Sequence, residues 1–304
     1  MTAVELATEQ TPEPFRLWSV TTLLDAGCPK GEALIGWAAK TVAEAGVDMS
    51  EAVVKLVEGG FREEAVDLLK GARYRRKRKA LARGTDVHRI AESIALGMDV
   101  EIPPDVAPYV AQYQRFLDDH APRFLMAEAP VYNLTYRYAG TLDAIAEIDG
   151  APRLFDVKTN DKTADAEGAR PPYKEIALQL VAYKRAEWVG VGKATMRNYN
   201  GRRYYIYDPK AGEYVAMPDS EGALALILFP DDYTLTPVRV DDDVFEAFLH
   251  VREVARWTLS TSNGVLGPPI TATVHDDHQD GGAQAALEGL DEDQGQLGPD
   301  GVEP

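Results

Sequence analysis

The chain has a single cysteine, Cys28, among its 304 residues. That excludes an internal disulfide framework and any cluster held by four cysteines of this chain. It also has no apolar run long enough to cross a bilayer, and Met1 to Pro14 is acidic and polar, not a basic segment followed by an apolar one. These features predict a cytoplasmic protein with no membrane partner. Lysine and arginine are missing beyond Arg256, where nine carboxylates between Asp276 and Glu303 carry nine of the net −17 charges and leave −8 for the rest. With that balance, a polyanionic partner would have to be met by a local basic surface or a bound cation, because the overall field opposes it.

What is present begins with 45% apolar residues, enough for a substantial core. The most informative stretch is Asp156-Val157-Lys158-Thr159, read with Gly140-Thr141-Leu142-Asp143 upstream. Tyr138 to Ile148 and Leu154 to Lys158 have the apolar, β-favouring composition of strands, and Asp149-Gly150 between them predicts a hairpin turn. Side chains alternate along a strand, so Asp156 and Lys158 share a face. Asp143 on the partner strand can bring a second carboxylate to the same end of the sheet. Two oxygen donors beside an ammonium suit a hard divalent cation and phosphodiester hydrolysis.

Three neighbouring segments add candidates. A helix over Ala80 to Ala95 carries His88, with Glu92 one turn later on the same face. A helix over Tyr173 to Trp188 puts Gln179 and Tyr183 on one face. In the strand Phe124 to Leu134, Glu128 interrupts apolar neighbours, as an ion-paired residue on an exposed face would. Just before the histidine helix, Arg73 to Lys79 with Arg83 is the one dense basic block. Charge runs are commonly solvated helix ends. Here the position of the block favours Arg75, Arg76, Lys77, Arg78, Lys79 and Arg83 as contacts to DNA phosphates.

Taken in order, Gly84 with His88, Gly140 with Asp143, Asp156 with Lys158, and Gln179 with Tyr183 resemble the four motifs of the PD-(D/E)XK nucleases. The match is to the RecB-type branch that includes phage exonucleases. The resemblance covers roughly residues 15 to 190 and is specific only at those motifs. It implies an α/β, restriction-endonuclease-like core: a mixed central sheet flanked by helices, after a helical N-terminal region. It further implies Mg²⁺ or Mn²⁺ held by His88, Asp143, Asp156 and the Val157 carbonyl, with Lys158, Gln179 and Tyr183 completing a catalytic set. In relatives an acid near the place of Glu128 assists the metal or positions DNA, so the resemblance makes Glu128 an auxiliary candidate, on equal terms with its reading as an exposed ion-pair partner. Ser19 to Pro29 is similar to the opening of relatives in which the cysteine ligates an iron–sulphur cluster. The other three cysteines are missing here, so no such cluster is expected and Cys28 reads as a small buried residue.

The implied activity is a deoxyribonuclease, with a lean toward an exonuclease acting on single- or double-stranded DNA ends in phage or bacterial recombination, replication or repair. Its partners would be a recombinase, a helicase or a single-strand-binding protein. A DNA-binding recombination accessory that keeps the scaffold without cutting is the second reading; loss of an acid or of the lysine would mark it, and neither is lost.

The rest of the chain is less specific. Residues 1–14 read as disordered, 15–80 as helical, 81–262 as the nuclease core and 263–304 as a disordered acidic tail. Helices are expected from Ser19, over Glu32 to Ala45, over Met49 to Val57 and over Arg62 to Leu69, and again over Asp105 to His120. His120 reads as a helix end and not a ligand. A polar loop from Asn160 to Pro172 is a candidate mobile wall for substrate. Ala194 to Tyr207 predicts a second hairpin about Asn200-Gly201, and Ala223 to Phe229 a strand pairing with Tyr233 to Val240. Asp241 to Leu259 predicts a closing helix with Val244, Phe248, Val251 and Trp257 inward.

Overall fold

Asp149 and Gly150 take positive φ values of 54° and 77°, the tight turn that an Asp-Gly pair favours, and two strands fold back across it. The computed structural model describes residues 15–28, 31–95, 97–165, 173–191, 196–199, 202–207 and 213–270. Ten strands occur among them: β1 (Phe15–Ser19), β2 (Arg123–Asn133), β3 (Tyr138–Ile148), β4 (Ala151–Thr159), β5 (Trp188–Val191), β6 (Met196–Tyr199), β7 (Arg202–Tyr207), β8 (Glu213–Ala216), β9 (Ala223–Leu228) and β10 (Tyr233–Val238). The helices are α1 (Val20–Gly27), α2 (Gly31–Asp48), α3 (Ser50–Glu58), α4 (Arg62–Ala95), α5 (Ala107–His120), α6 (Glu175–Lys184) and α7 (Asp242–Leu259), followed by a 3₁₀ turn at Thr261–Gly264. Every one of these elements lies in a compact unit that ends at Val265.

The fold is α/β, a mixed sheet with helices on both faces. Its strands run in the order β10-β9-β4-β3-β1-β7-β6, with β2 on the other edge of β3 and β5 and β8 beyond it. Pairing of β3 with β4 and of β9 with β10 is antiparallel, whereas β4–β9 and β1–β3 are parallel. Alternation along the strands sorts the core into two layers. Leu154, Ala225 and Ile227 meet α1, α6 and α7 through Leu23, Leu180 and Phe248. Phe155, Val157, Leu224 and Leu226 meet α4 and α5 through Val87, Ile90, Tyr113 and Phe116.

Local chemistry sets the ends of several elements. Ser19 caps α1, its hydroxyl accepting the Thr22 amide at 3.0 Å, and Asp241 caps α7 by accepting the Val244 amide at 3.2 Å. α5 closes at Ala121 in the left-handed region, and His120 packs its ring against Phe116 and Tyr233.

The structure departs from the sequence expectations at identifiable places. Phe15–Ser19 is a strand, β1, pairing with β3 and β7; five residues carry too little periodicity to separate from the helix they lead into. The separate helices expected about Arg62 to Leu69 and Ala80 to Ala95 are one helix of 34 residues, α4. It runs straight through the basic block and across residue 80, where a boundary was expected. The helix expected to reach Trp188 stops at Lys184, and Trp188 opens β5. In α7 Phe248 is buried as expected, but Trp257 is half-exposed. The expectations for residues 1–14, 166–172, the Asn200-Gly201 turn and 271–304 fall outside the described residues.

Candidate metal centre

β2 pairs with one edge of β3 from Asn133↔Tyr138 to Arg123↔Glu147. On the other edge β4 pairs with β3 only from Ile148↔Ala151 to Ala144↔Phe155, and β1 takes over at Tyr138 and Ala139. Among the described residues, no strand pairs with Gly140-Thr141-Leu142-Asp143 on that edge between those partners. β4 meanwhile continues along β9 as far as Thr159↔Leu228. The two strands of the hairpin therefore splay apart, and the site lies in the opening.

The splay frees the N–H and C=O of Val157, which a continuing ladder would have used. Asp143 Oδ2 accepts the N–H at 2.7 Å. His88 Nε2 lies 2.8 Å from the carbonyl oxygen and donates to it, which leaves Nδ1 facing the carboxylates. His88 is placed by α4, whose neighbouring residues Val87, Ile90 and Ala91 are packed in the core.

Opposite Asp143, flanked by the pairs Ala127↔Ala144 and Ala129↔Leu142, stands Glu128. Its φ of 44° is in the left-handed region, which a residue with a Cβ enters at a cost of about 1–3 kcal/mol. A register shift between Phe124 and Met126 precedes it. Glu128 Oε1 and Asp143 Oδ2 lie 3.5 and 3.6 Å from His88 Nδ1, and the three side chains form a group whose ligand atoms are all within 4.8 Å of one another.

Those separations are long for hydrogen bonds but close to the ligand–ligand spacing of about 3 Å around an octahedral ion bound at about 2.1 Å. An imidazole with two carboxylates is a donor set suited to Mg²⁺ or Mn²⁺, so these residues fit a divalent ion. Electrostatics agree. The Asp143 charge raises His88 from 6.5 to about 9; burial opposes the shift and Glu128 reinforces it. A cation is thus favoured at this position even when it is only a proton. Glu92, Tyr113 and Phe124 line the cleft beside the triad, and burial together with the Asp143 charge pushes the Tyr113 hydroxyl well above its ordinary range.

Asp156, expected among the ligands, is placed differently. It lies on the α6 face, 1% exposed, where Gln179 Nε2 donates to its Oδ1 at 2.8 Å and the Lys158 ammonium pairs with Oδ2. Burial raises its carboxyl to about 6, against the opposing pull of Lys158. Burial would lower Lys158, yet Asp156, Asp143 and Glu128 together hold it above its ordinary value. The Val157 carbonyl, also expected as a ligand, accepts from His88.

Tyr183 lies 3.4 Å from Gln179 Nε2 through its hydroxyl, and its ring covers Gly140 so closely that a Cβ there would come within 2.4 Å of it. The glycine of the upstream motif is therefore the seat of the tyrosine of the downstream one.

The basic candidates lie on α4, N-terminal to His88. Arg75, Arg76, Lys77, Arg78 and Lys79 are exposed. Arg76 pairs with Glu44 at 2.9 Å, Arg75 donates to the Leu68 carbonyl, and the Arg83 guanidinium lies over the Tyr109 ring.

Glu128 does not stand out in the sequence, because the left-handed backbone that aims it has no marker in composition. The available signal was an acid between apolar neighbours two residues before Pro130. No helix among the described residues is long and apolar enough to cross a membrane. A scan against models of known protein families finds no match, and a search of curated proteins finds none significantly similar to this chain.

Proposed function

We propose that the chain is a divalent-metal-dependent deoxyribonuclease of the PD-(D/E)XK kind, in the RecB-type branch, acting on DNA ends. The observation that carries this reading is the meeting of His88 from α4, Glu128 from β2 and Asp143 from β3 at one point, with the Asp156–Lys158 pair alongside. Residues far apart in the chain converge where two strands part, and all have the chemistry that phosphodiester hydrolysis needs.

His88, Glu128 and Asp143 would hold the ion, which when bound lowers the pKa of a water and screens charge on the phosphate oxygen. Lys158, ammonium-bearing and half-exposed, orients the attacking water and balances the negative charge that develops on the phosphorus-bound oxygens. Asp156 fixes the ammonium, and Gln179 fixes Asp156. The His88 Nε2–H bond to Val157 holds the ring with Nδ1 toward the carboxylates.

The test is a Mg²⁺ and Mn²⁺ titration with end-labelled linear DNA and, beside it, covalently closed circular DNA. Metal-dependent loss of the linear substrate alone supports an end-dependent nuclease. DNA binding without cleavage at any metal concentration would instead identify a non-cleaving accessory on the same scaffold.

A further inference from the structure

Gly84 lies inside the 34-residue α4, about three turns from its C-terminal end, where glycine costs about 1 kcal/mol relative to alanine. Packing does not require it: a Cβ built there would meet no heavy atom within 4 Å. Gly36 and Gly46 of α2 are open in the same way, but Gly84 alone of the three lies one turn before His88 on the helix that delivers it to the metal centre.

Helical phase extends the observation. Counting back from His88, Gly84, Leu81 and Lys77 fall within about 40° of the same line, and Lys77 lies about 17 Å up the axis. Tyr74 stays within about 40° of that line and Arg73 within about 60°. Leu81, Lys77, Tyr74 and Arg73 are all exposed, and no ion pair engages Lys77 among the described residues. Arg75 and Arg78 point well away from this line. Arg76, which is far off it, is paired with Glu44.

We infer that this face of α4 is a track for the nucleic-acid backbone, with Gly84 the point of closest approach and Lys77 and Arg73 the phosphate contacts beyond it. The inference rests on the nuclease reading for its substrate and deepens it. It keeps Lys77 of the six basic candidates and adds Arg73, whose guanidinium donates to the Tyr74 hydroxyl on the same face. It also sets a reach: at about 3.4 Å per base pair along one strand, the 17 Å from His88 to Lys77 corresponds to about five base pairs beyond the site. A bare stretch of helix lets a sugar–phosphate chain lie against the backbone, and a side chain there would hold it off.

The test uses the full chain with labelled duplexes of about 4 to about 20 base pairs, binding being read by fluorescence anisotropy in chelator at low salt. Gly84→Leu is expected to weaken binding of the longer duplexes about tenfold or more, while Gly84→Ala raises the thermal midpoint or leaves it unchanged. Lys77→Gln is expected to weaken binding several-fold and to reduce the slope of log affinity against log salt by about one. Lys40→Gln, the same charge change on exposed α2, is expected to have no effect. Wild-type affinity should rise with length until about five base pairs extend past the site.

Equal affinity of Gly84→Leu and wild type, or a fall in thermal midpoint for Gly84→Ala, would overturn the track, as would absence of binding by the wild type. Because binding is read without divalent ion, a protein that behaves as expected here but never cleaves would sink the nuclease reading and leave the track standing.

Discussion

Asp143 accepts the Val157 amide at 2.7 Å, so the acid of one motif repairs the ladder where the strand carrying the other motif turns away. The same carboxylate faces His88 Nδ1 and is the largest cause of its raised pKa, about 9. In the folded protein His88 titrates above its unfolded value. The stability contributed by the protonated ring is therefore complete below about pH 6.5 and lost as pH climbs through about 9. In metal-free protein the thermal midpoint should fall between about pH 7 and about pH 9.5, and His88→Asn should remove most of that fall. Affinity for Mn²⁺ should grow over the same window, since the ring must shed its proton to become a ligand. Calorimetry across the pH range measures both.

Glu128 pays for its left-handed backbone with nothing visible in return except its place beside His88 and Asp143. Glu128→Gly removes the carboxylate and relieves the strain together. That variant should melt no lower than wild type in the absence of metal, yet lose most of the shift in midpoint that Mn²⁺ produces. A marked drop in metal-free midpoint would show that Glu128 serves the fold.

Gln179 is the neutral hydrogen-bond donor to the most buried carboxylate of the site. Removing it in Gln179→Ala strips a partner from Asp156 and should cost about 1–3 kcal/mol of stability, with a fall in turnover that stops short of abolition. Gln179→Glu, which sets a further negative charge against Asp156, should be worse on both counts. Denaturant melts and steady-state rates read the two effects separately.

Gly140 and Tyr183 are expected to behave as one unit. A Cβ at position 140 would drive into the tyrosine ring, so Gly140→Ala should destabilise by about 1–3 kcal/mol and shift the helix that presents Gln179. Adding Tyr183→Ala should recover part of the loss, making the pair less than additive, which a double-mutant cycle detects.

Lys158→Ala removes the ammonium that Asp156 anchors. Cleavage should fall by two to three orders of magnitude, on the order of what a single stabilising group contributes at a transition state, while DNA affinity changes little. Near-normal metal-dependent cleavage by a well-folded Lys158→Ala protein would remove Lys158 from the chemistry.

Legibility in the sequence followed the length scale of the interaction. The β3–β4 hairpin could be read because its turn chemistry and its two-residue alternation are local, and the start of a helix at Ser19 for the same reason. Phe15–Ser19 could not, since a five-residue strand is defined by partners that lie far along the chain. The histidine and the first motif acid were visible as a pattern; alternation along β4 turns Asp156 away from the layer of Phe155 and Val157 and toward Gln179, but which helix covers which face depends on long-range packing that no spacing encodes. Glu128 is the clearest case: a positive φ in mid-strand decides its direction, and neither its residue type nor its neighbours announce it.

Whether His88, Glu128 and Asp143 share one divalent ion decides the rest. Anomalous diffraction at the manganese edge from crystals of the full chain grown in Mn²⁺ tests it most directly. A single strong peak is expected within about 2.0–2.3 Å of His88 Nδ1 and of one oxygen each from Glu128 and Asp143, lost in Asp143→Ala. A well-ordered cleft with no peak, or a peak bound by other residues while these three keep their present separations, would contradict it.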